Sequence, residues 1–456
     1  MSTDIGDGME DNRALDLIRH HATLRTAAAL TQTVADLVST GQLTAGERLP
    51  TVRDTAVAVG MSRSAVGQAW QQLGVRGLVE TRRRGGTRII GKPRPPRAKR
   101  YESMILSAAA DVRDLGNMDI TGMTYPDLAR AMSASLHQRS LHERFATPLT
   151  EELKAAVRPD WPFFTESFLA AHGPMDGLEL ALSATVKSGD VVAVENPTSG
   201  RVFDMLDALG ATPLPIEFET SGPSLADLQR ALISKPAAFV YQPAGSAPSW
   251  RSVTARWIDE AATILPRTLP VIEYSQATAL YPGGLSLGAR LPRQVVHIRG
   301  YQLTLGQDMA VAVVGGNTEV LNAMWLRLTY STRFVSRILQ GTLAHLLTDK
   351  DSREQERRLV AEAHRRHRRF VGELRRHGFD VEDTSGPGVW LQVPDEDAVC
   401  ARLSRFGILV HPGRLFVALP LREQRIHICS TAIVDDPDVV ARLVAEACRR
   451  SPRPIL

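Results

Sequence analysis

The chain is 456 residues long, with hydrophobic (43%) and charged (23%) fractions ordinary for a soluble globular protein, and it is too long for one core, so two or three domains are expected. No apolar run approaches the roughly 18 residues of a membrane span, and the polar, acidic stretch Met1–Asp16 does not read as a secretion signal. The formal net charge of +4 is unevenly placed: residues 24–100 hold 14 Lys/Arg against 4 Asp/Glu, while residues 1–23 and 101–456 each carry a net −3. A positive excess confined to the N-terminal part is expected of a polyanion-binding module on a near-neutral body. A solvated basic linker is the plain alternative, because Lys92–Arg100 supplies five of the charges.

Residues 1–22 read as a flexible acidic tail. Leu24–Ser39 is predicted helical, with Leu30, Val34 and Leu37 at helical spacing and Gly41 as the stop. Thr51 is a good N-cap, with Asp54 three residues on, for a short helix ending at Gly60. Ser62 caps the next helix. There Val66, Ala69, Trp70 and Leu73 form one apolar stripe that must face the core, leaving Arg63, Ser64, Gly67, Gln68 and Gln71 opposite. Polar groups at the N-terminal turn, with little bulk behind them, suit a helix that enters a DNA groove about 12 Å wide. Gly77–Thr81 and Thr87–Ile90 read as two strands around a basic, glycine-bearing tip whose arginines can lie against phosphates.

The runs Gly46–Arg53, Gly60–Ser64, Leu73 to Glu80 and Gly85–Thr87 resemble the winged helix of GntR-type transcriptional regulators, over a domain placed at 23–91. The resemblance implies that Arg53, Ser62, Arg63 and Ser64 touch bases or phosphates of promoter DNA. Gln68, on the same face, and Arg82, Arg83, Arg84 and Gly85 in the wing complete the expected set. Arg84 departs from the pattern, which usually has Gly there.

Residues 92–118 read as a Pro/Arg-rich linker. Beyond it, helices at Leu178–Ala184 and Arg201–Leu209 alternate with apolar strands at Val191–Val194, Ala237–Tyr241, Leu269–Glu273 and Gln294–Ile298. That pattern predicts a mostly parallel sheet covered on both faces in a large domain, 119–340. A smaller α+β lobe, 341–456, follows from a helix-dominated stretch, strands at Val389–Val393, Ile408–Val410 and Arg425–Cys429, and a helix at Asp397–Arg405. The Arg/His-rich run Ala361–Arg376 reads as a solvated helix face. Cys400, Cys429 and Cys448 lack metal-type spacing and suit a reducing cytosol, so no metal is expected.

The order of these landmarks resembles fold-type I aminotransferases, and the fusion resembles the MocR branch of the GntR family. Those enzymes need a lysine for the Schiff base with pyridoxal phosphate. Between Lys235 and Lys350 this chain has none. Carried over residue by residue, the lysine position falls on Leu303, the phosphate-binding arginine on Ala310 and the acidic partner of the pyridine nitrogen on Tyr274. Gln276 stands where a tyrosine bonds the cofactor oxygen, Ser199 where an aromatic stacks on its ring, and His427 (with Arg425 near) where an arginine clamps the substrate. Pro174 removes a backbone donor from the phosphate loop.

The resemblance therefore implies a regulator, not an enzyme, with the cofactor absent, no catalytic residues, a homodimeric state and a cytoplasmic location. Two readings of the crevice stand. Either it binds another effector, an anion contacting Arg299 or His297, or side chains fill it, with Arg299 paired to Glu273 or Glu195 and Trp250 and Tyr281 in the core. A pyridoxal-phosphate enzyme or a pyridoxal-phosphate-sensing regulator is the alternative function, and a nucleoid-type binder without sequence preference a third.

Overall fold

The computed structural model describes residues 5–21, 26–82, 86–90, 97–105, 112–120, 122–145, 147–384 and 386–449. The chain divides into two compact units, Met1–Arg97 and Ala98–Leu456.

The first unit contains α1 (Ile5–His21), α2 (Ala27–Ser39), α3 (Val52–Val59), α4 (Arg63–Val75) and a hairpin of β1 (Val79–Arg82) and β2 (Gly86–Ile89). The hairpin is antiparallel, with Val79 opposite Ile89. Leu30, Val34 and Leu37 from α2 meet Val66, Ala69, Trp70 and Leu73 from α4 in one buried cluster closed by Leu78, Val79 and Ile89. Thr51 caps α3 by accepting the Asp54 N–H at 3.2 Å, and Gly60 ends it in the left-handed region at φ 66°. Such a cap contributes about 1 kcal/mol.

The expected flexible tail is instead helical over Ile5–His21. Ala14, Leu17 and Ile18 recur at helical spacing; Ala14 and Ile18 are buried in the same cluster with Leu17 packed against it, and Arg13 pairs with Glu47. The acidic charge of the stretch masked this short apolar stripe.

In the second unit a seven-stranded sheet runs in the order Phe168–Ala171, Ala312–Gly316, Val295–Gly300, Val271–Ser275, Phe239–Tyr241, Val191–Asn196, Thr212–Glu217. Ala312–Gly316 is antiparallel to both neighbours; the other pairings are parallel. Strands such as Val191–Asn196 and Val271–Ser275 are buried nearly end to end, as parallel strands covered on both faces must be. One apolar cluster includes Leu178, Val202 and Met324 and another Leu228, Trp257 and Ile258, all from helices that pack on the sheet.

The smaller lobe is a three-stranded sheet, Gly388–Gln392, Arg425–Cys429 and His411–Pro412, packed with helices Lys350–Arg376, Glu396–Arg405 and Pro437–Cys448. Two expectations change here. The stretch 92–118 contains the helix Lys99–Ile105 and the strand Arg113–Asp114, which pairs in parallel with Ile408–Leu409, and Leu115 is buried in the lobe's core. The chain thus touches both lobes in this stretch: the Asp204 carboxylate of the large lobe accepts the Arg100 and Tyr101 N–H groups, and Arg113–Asp114 pairs within the small lobe. The Arg/His-rich helix is not solvated all round: Arg366 and His367 face inward, Arg366 donating to Glu362 and to the Thr431 carbonyl, His367 Nδ1 lying 2.9 Å from Ser430 Oγ.

Candidate nucleic-acid interface and effector cavity

In the first unit, α4 is oriented by what it buries. Its apolar stripe is sealed and Trp70 Nε1 donates to the Pro50 carbonyl at 3.3 Å, so the turn before α3 and the middle of α4 are tied together. Arg63, Ser64 and Gln68 are consequently exposed, as is Arg53 on the first turn of α3. Among the described residues no carboxylate engages Arg53 or Arg63. Ser62 is exposed, but its hydroxyl oxygen is occupied as the helix cap, accepting the Ala65 N–H at 3.1 Å. At the wing, Gly86 has φ 69°, and a side chain there would collide with Arg48, whose Nε lies 2.7 Å from a Cβ position. Arg83, Arg84 and Gly85, and the Arg82 side chain, lie outside the described residues.

In the second unit a cavity of about 610 Å³ is lined by residues that follow the carboxyl ends of successive strands: Gly173–Asp176, Ser199, Ala247 and Trp250, Gln276, and Gln302 with Leu303. That is where open α/β sheets form their ligand crevice. The small lobe closes it with His411, Phe416 and His427, and the segment Gly116–Met118 supplies a further edge.

Hydrogen bonding fixes the state of His427. Its Nδ1 is 3.0 Å from the Gly116 carbonyl, which only accepts, and its Nε2 is 3.3 Å from Trp250 Nε1, which only donates. The ring is therefore neutral, protonated on Nδ1; burial pushes its pKa down to about 3. Burial also takes His411 down to about 4. Gly388 makes room for the Trp250–His427 pair, since a Cβ would lie 2.6 Å from His427 Nε2 and 2.7 Å from Trp250 Nε1.

The opposite end is the start of helix Pro174–Thr185. Gly173 turns at φ 94°, Pro174 occupies the first helical position without an N–H, and the Asp176 carboxylate accepts the His172 N–H at 2.7 Å. The positive helix end is thus offset by the chain's own anion. Under the floor, Glu195 accepts the Thr198 hydroxyl at 3.0 Å and the Gln242 amide at 2.7 Å, and the Tyr274 hydroxyl lies 2.9 Å from Thr198 Oγ1. Desolvation pushes the Glu195 carboxyl up to about 7.

Of the five residues anticipated for the pocket, Gln276 and Leu303 line it. Tyr274 is fully buried beneath it, and Ala310 is half-buried outside the lining. Arg299 pairs with neither Glu273 nor Glu195. It donates to the Asp160 carbonyl at 2.6 Å, lies over the Trp161 ring at 4.8 Å and borders a separate pocket of about 340 Å³. Glu273 is already satisfied by Tyr241, Ser286, the Leu287 N–H and His297 Nδ1, so neither Arg299 nor His297 reaches the cavity. Tyr281, half-buried, donates to the Trp250 carbonyl at 3.3 Å, while Trp250 is both buried and a wall of the cavity. Asn117, Asp176, Glu179, Arg201, His411 and Phe416 were not anticipated; Asp176, Glu179 and Arg201 stand on helices Pro174–Thr185 and Gly200–Leu209, and the others come from the segment before the large lobe and from the small lobe, where no periodic pattern marks them. Among the described residues no lysine lines the cavity. Among the described residues no cluster of His, Cys, Asp and Glu could hold a metal ion, and no helix is long and apolar enough to cross a membrane.

Residues 26–89 match the family described as bacterial regulatory proteins, gntR family. The chain is 34% identical over 101 residues to the HTH-type transcriptional regulator Rv1152 of Mycobacterium tuberculosis, covering 76% of that protein and 22% of its own length. The chain belongs to the GntR family. Along nearly its whole length it is also similar to the vitamin B6 salvage pathway transcriptional repressor PtsJ of Salmonella typhimurium, 27% identical over 437 residues, or 92% of this chain and 94% of that one. Among solved structures, the second unit has the fold of the α-aminoadipate aminotransferase LysN of Thermus thermophilus, with a TM-score of 0.66 and 18% identity over 78% of this chain and 95% of that one. This GntR-family protein is a transcriptional regulator that joins a helix-turn-helix unit to an aminotransferase-like fold.

Proposed function

We propose that this GntR-family chain binds promoter DNA as a homodimer in the cytoplasm, reading base edges with Arg63, Ser64 and Gln68 and holding phosphates with Arg53, Ser62 and the wing residues Arg82, Arg83, Arg84 and Gly85. The observation that carries this reading is the exposure of Arg53 and Arg63, without a carboxylate partner among the described residues, above a sealed apolar stripe. Under it the chain divides functionally into the DNA-binding domain 23–91, a connecting stretch, and an aminotransferase-like body. Paired half-sites would follow from two such units in a dimer. Footprinting on promoter fragments tests it: protected, palindromic half-sites are expected, and uniform protection without sequence preference would favour the nucleoid-type alternative.

The body, in this reading, is a frame for pairing two chains and an effector-binding unit that no longer performs pyridoxal-phosphate chemistry. Leu303 in place of a cavity lysine, Pro174 and Asp176 at the helix that would face a phosphate, and Tyr274 buried below the floor support it. The residues present do not fit that cofactor. The role of the Salmonella relative, repression of vitamin B6 salvage, supports a small ring compound as the effector. Incubation with pyridoxal phosphate should leave the protein without the aldimine absorbance near about 420 nm; a stable yellow protein would restore the enzyme alternative.

A further inference from the structure

We propose that the cavity takes a phosphate-free, ring-bearing amine and that its own side chains turn away the phosphorylated counterpart; this rests on the effector reading above. The charge of the lining points that way. Asp176 and Glu179 stand on helix Pro174–Thr185, and among the described lining residues Arg201 is the one guanidinium, lying 4.9 Å from the Tyr101 ring centroid. Among those residues carboxylates thus outnumber guanidiniums two to one.

A phosphate monoester carries about −1.5 to −2 charges at neutral pH. Directed at the start of that helix, it would meet the Asp176 carboxylate and a proline where it needs backbone donors. Directed at the other end, it would meet His427, whose two ring nitrogens are already committed to Gly116 and Trp250 and whose ring is neutral. An ammonium group in the same place would instead be attracted by two carboxylates. The remaining walls suit a flat ring: Trp250 and Phe416 supply aromatic surface, and Met118 and Met175 supply polarizable thioethers that adapt to an aromatic edge. The volume, about 610 Å³, is in the range that encloses small molecules.

Titration calorimetry on the full-length protein with pyridoxamine and pyridoxamine 5′-phosphate isolates the phosphate, because the two probes differ by that group alone. Pyridoxamine should bind and its phosphate ester bind about tenfold more weakly or not at all. Asp176→Asn should weaken pyridoxamine and strengthen the ester, closing most of the gap; Glu179→Gln should act in the same direction and serves if the first variant does not fold. Equal or tighter binding of the ester, or no heat from either probe, overturns the proposal. A promoter mobility shift on the same preparation separates the two claims: DNA binding with silent probes sinks only the ligand assignment, while loss of DNA binding sinks the regulator reading.

Discussion

Two helix starts in this protein, α4 in the first unit and Pro174–Thr185 in the second, carry the same physical asset and treat it in opposite ways. Both begin with a positive dipole end and unsatisfied N–H groups, which attract phosphate. α4 has no acid in its first turn, begins with Arg63 and lies in the strongly basic part of the chain. The helix Pro174–Thr185 has proline at its first position and Asp176 in its first turn, with the carboxylate folded back onto His172. One start has no acidic side chain in its first turn, and the other carries its own carboxylate. The fold alone distinguishes neither; three or four side chains do.

The widest separation between them should appear in salt. Each phosphate neutralised on duplex DNA contributes a slope of about −0.9 in log K against log salt, so six or more contacts per dimer imply a loss of about a thousandfold between roughly 50 and 200 mM. Fluorescence anisotropy with a promoter duplex measures it. Pyridoxamine binding to the cavity, driven mainly by contact and by a short-range charge pair, should change by far less over the same range. Parallel slopes for the two ligands would break the comparison.

Next in size is the loss of a base-reading group. Arg63→Ala should cost about 1–3 kcal/mol of discrimination between the operator and a scrambled duplex. The substitution removes an exposed side chain that no carboxylate among the described residues holds, so the melting temperature should stay within a degree or two of the parent's. A variant that kept full selectivity would move the reading function away from α4.

How far all this was written in the sequence differs between the units for a physical reason. The winged helix was legible almost residue by residue, because caps, stripe and turn are local: Thr51, Gly60, Ser62 and the Val66–Leu73 stripe act where they stand. Helix α1 was missed because three apolar positions sat inside an acidic run. In the aminotransferase-like unit the strands were visible as apolar runs, and the stretch without lysine between Lys235 and Lys350 is a property of the sequence itself. The wiring of the cavity could not be read from it. Arg299 lies in a strand next to the one bearing Glu273, yet the Glu273 carboxylate is filled by four donors from residues 241–297. His427 meets Trp250 from 177 positions away. Linear order does not display such pairings.

A further contrast concerns acid. His427, His411 and His367 have folded-state pKa values depressed by burial to about 3, 4 and 4, against an ordinary value near 6.5. Below pH 6.5 the unfolded chain takes up protons that these buried rings refuse, so stability present at neutral pH is lost as the pH falls toward 4. The slope is at most about 1.4 kcal/mol per pH unit for each ring. Glu195, raised to about 7, holds its proton in the folded state and offsets one ring's share between pH 7 and 4.5. The second unit should therefore melt at lower temperature at pH 5 than at pH 7.5 in calorimetry. The first unit contains none of these three rings and should move little. Equal shifts of two resolved transitions, or a more stable second unit at pH 5, would contradict the histidine assignments.

The smallest effect separates orientation from contact at the open helix start. Ser62 both caps α4, through the Ala65 N–H, and stands beside the expected backbone of the DNA. If capping is its main work, Ser62→Ala should cost about 1 kcal/mol of the first unit's stability, and Ser62→Asn, another good cap, should restore most of it. Operator affinity should follow stability in that pair of variants, falling with Ala and recovering with Asn, whereas selectivity between operator and scrambled duplex should stay with Arg63 in both. A serine whose replacement by Asn stabilised the unit yet left DNA affinity as low as in the alanine variant would instead be a phosphate contact in its own right. The open start of α4 would then owe its binding to the hydroxyl donor at position 62 as well as to the dipole and the arginine.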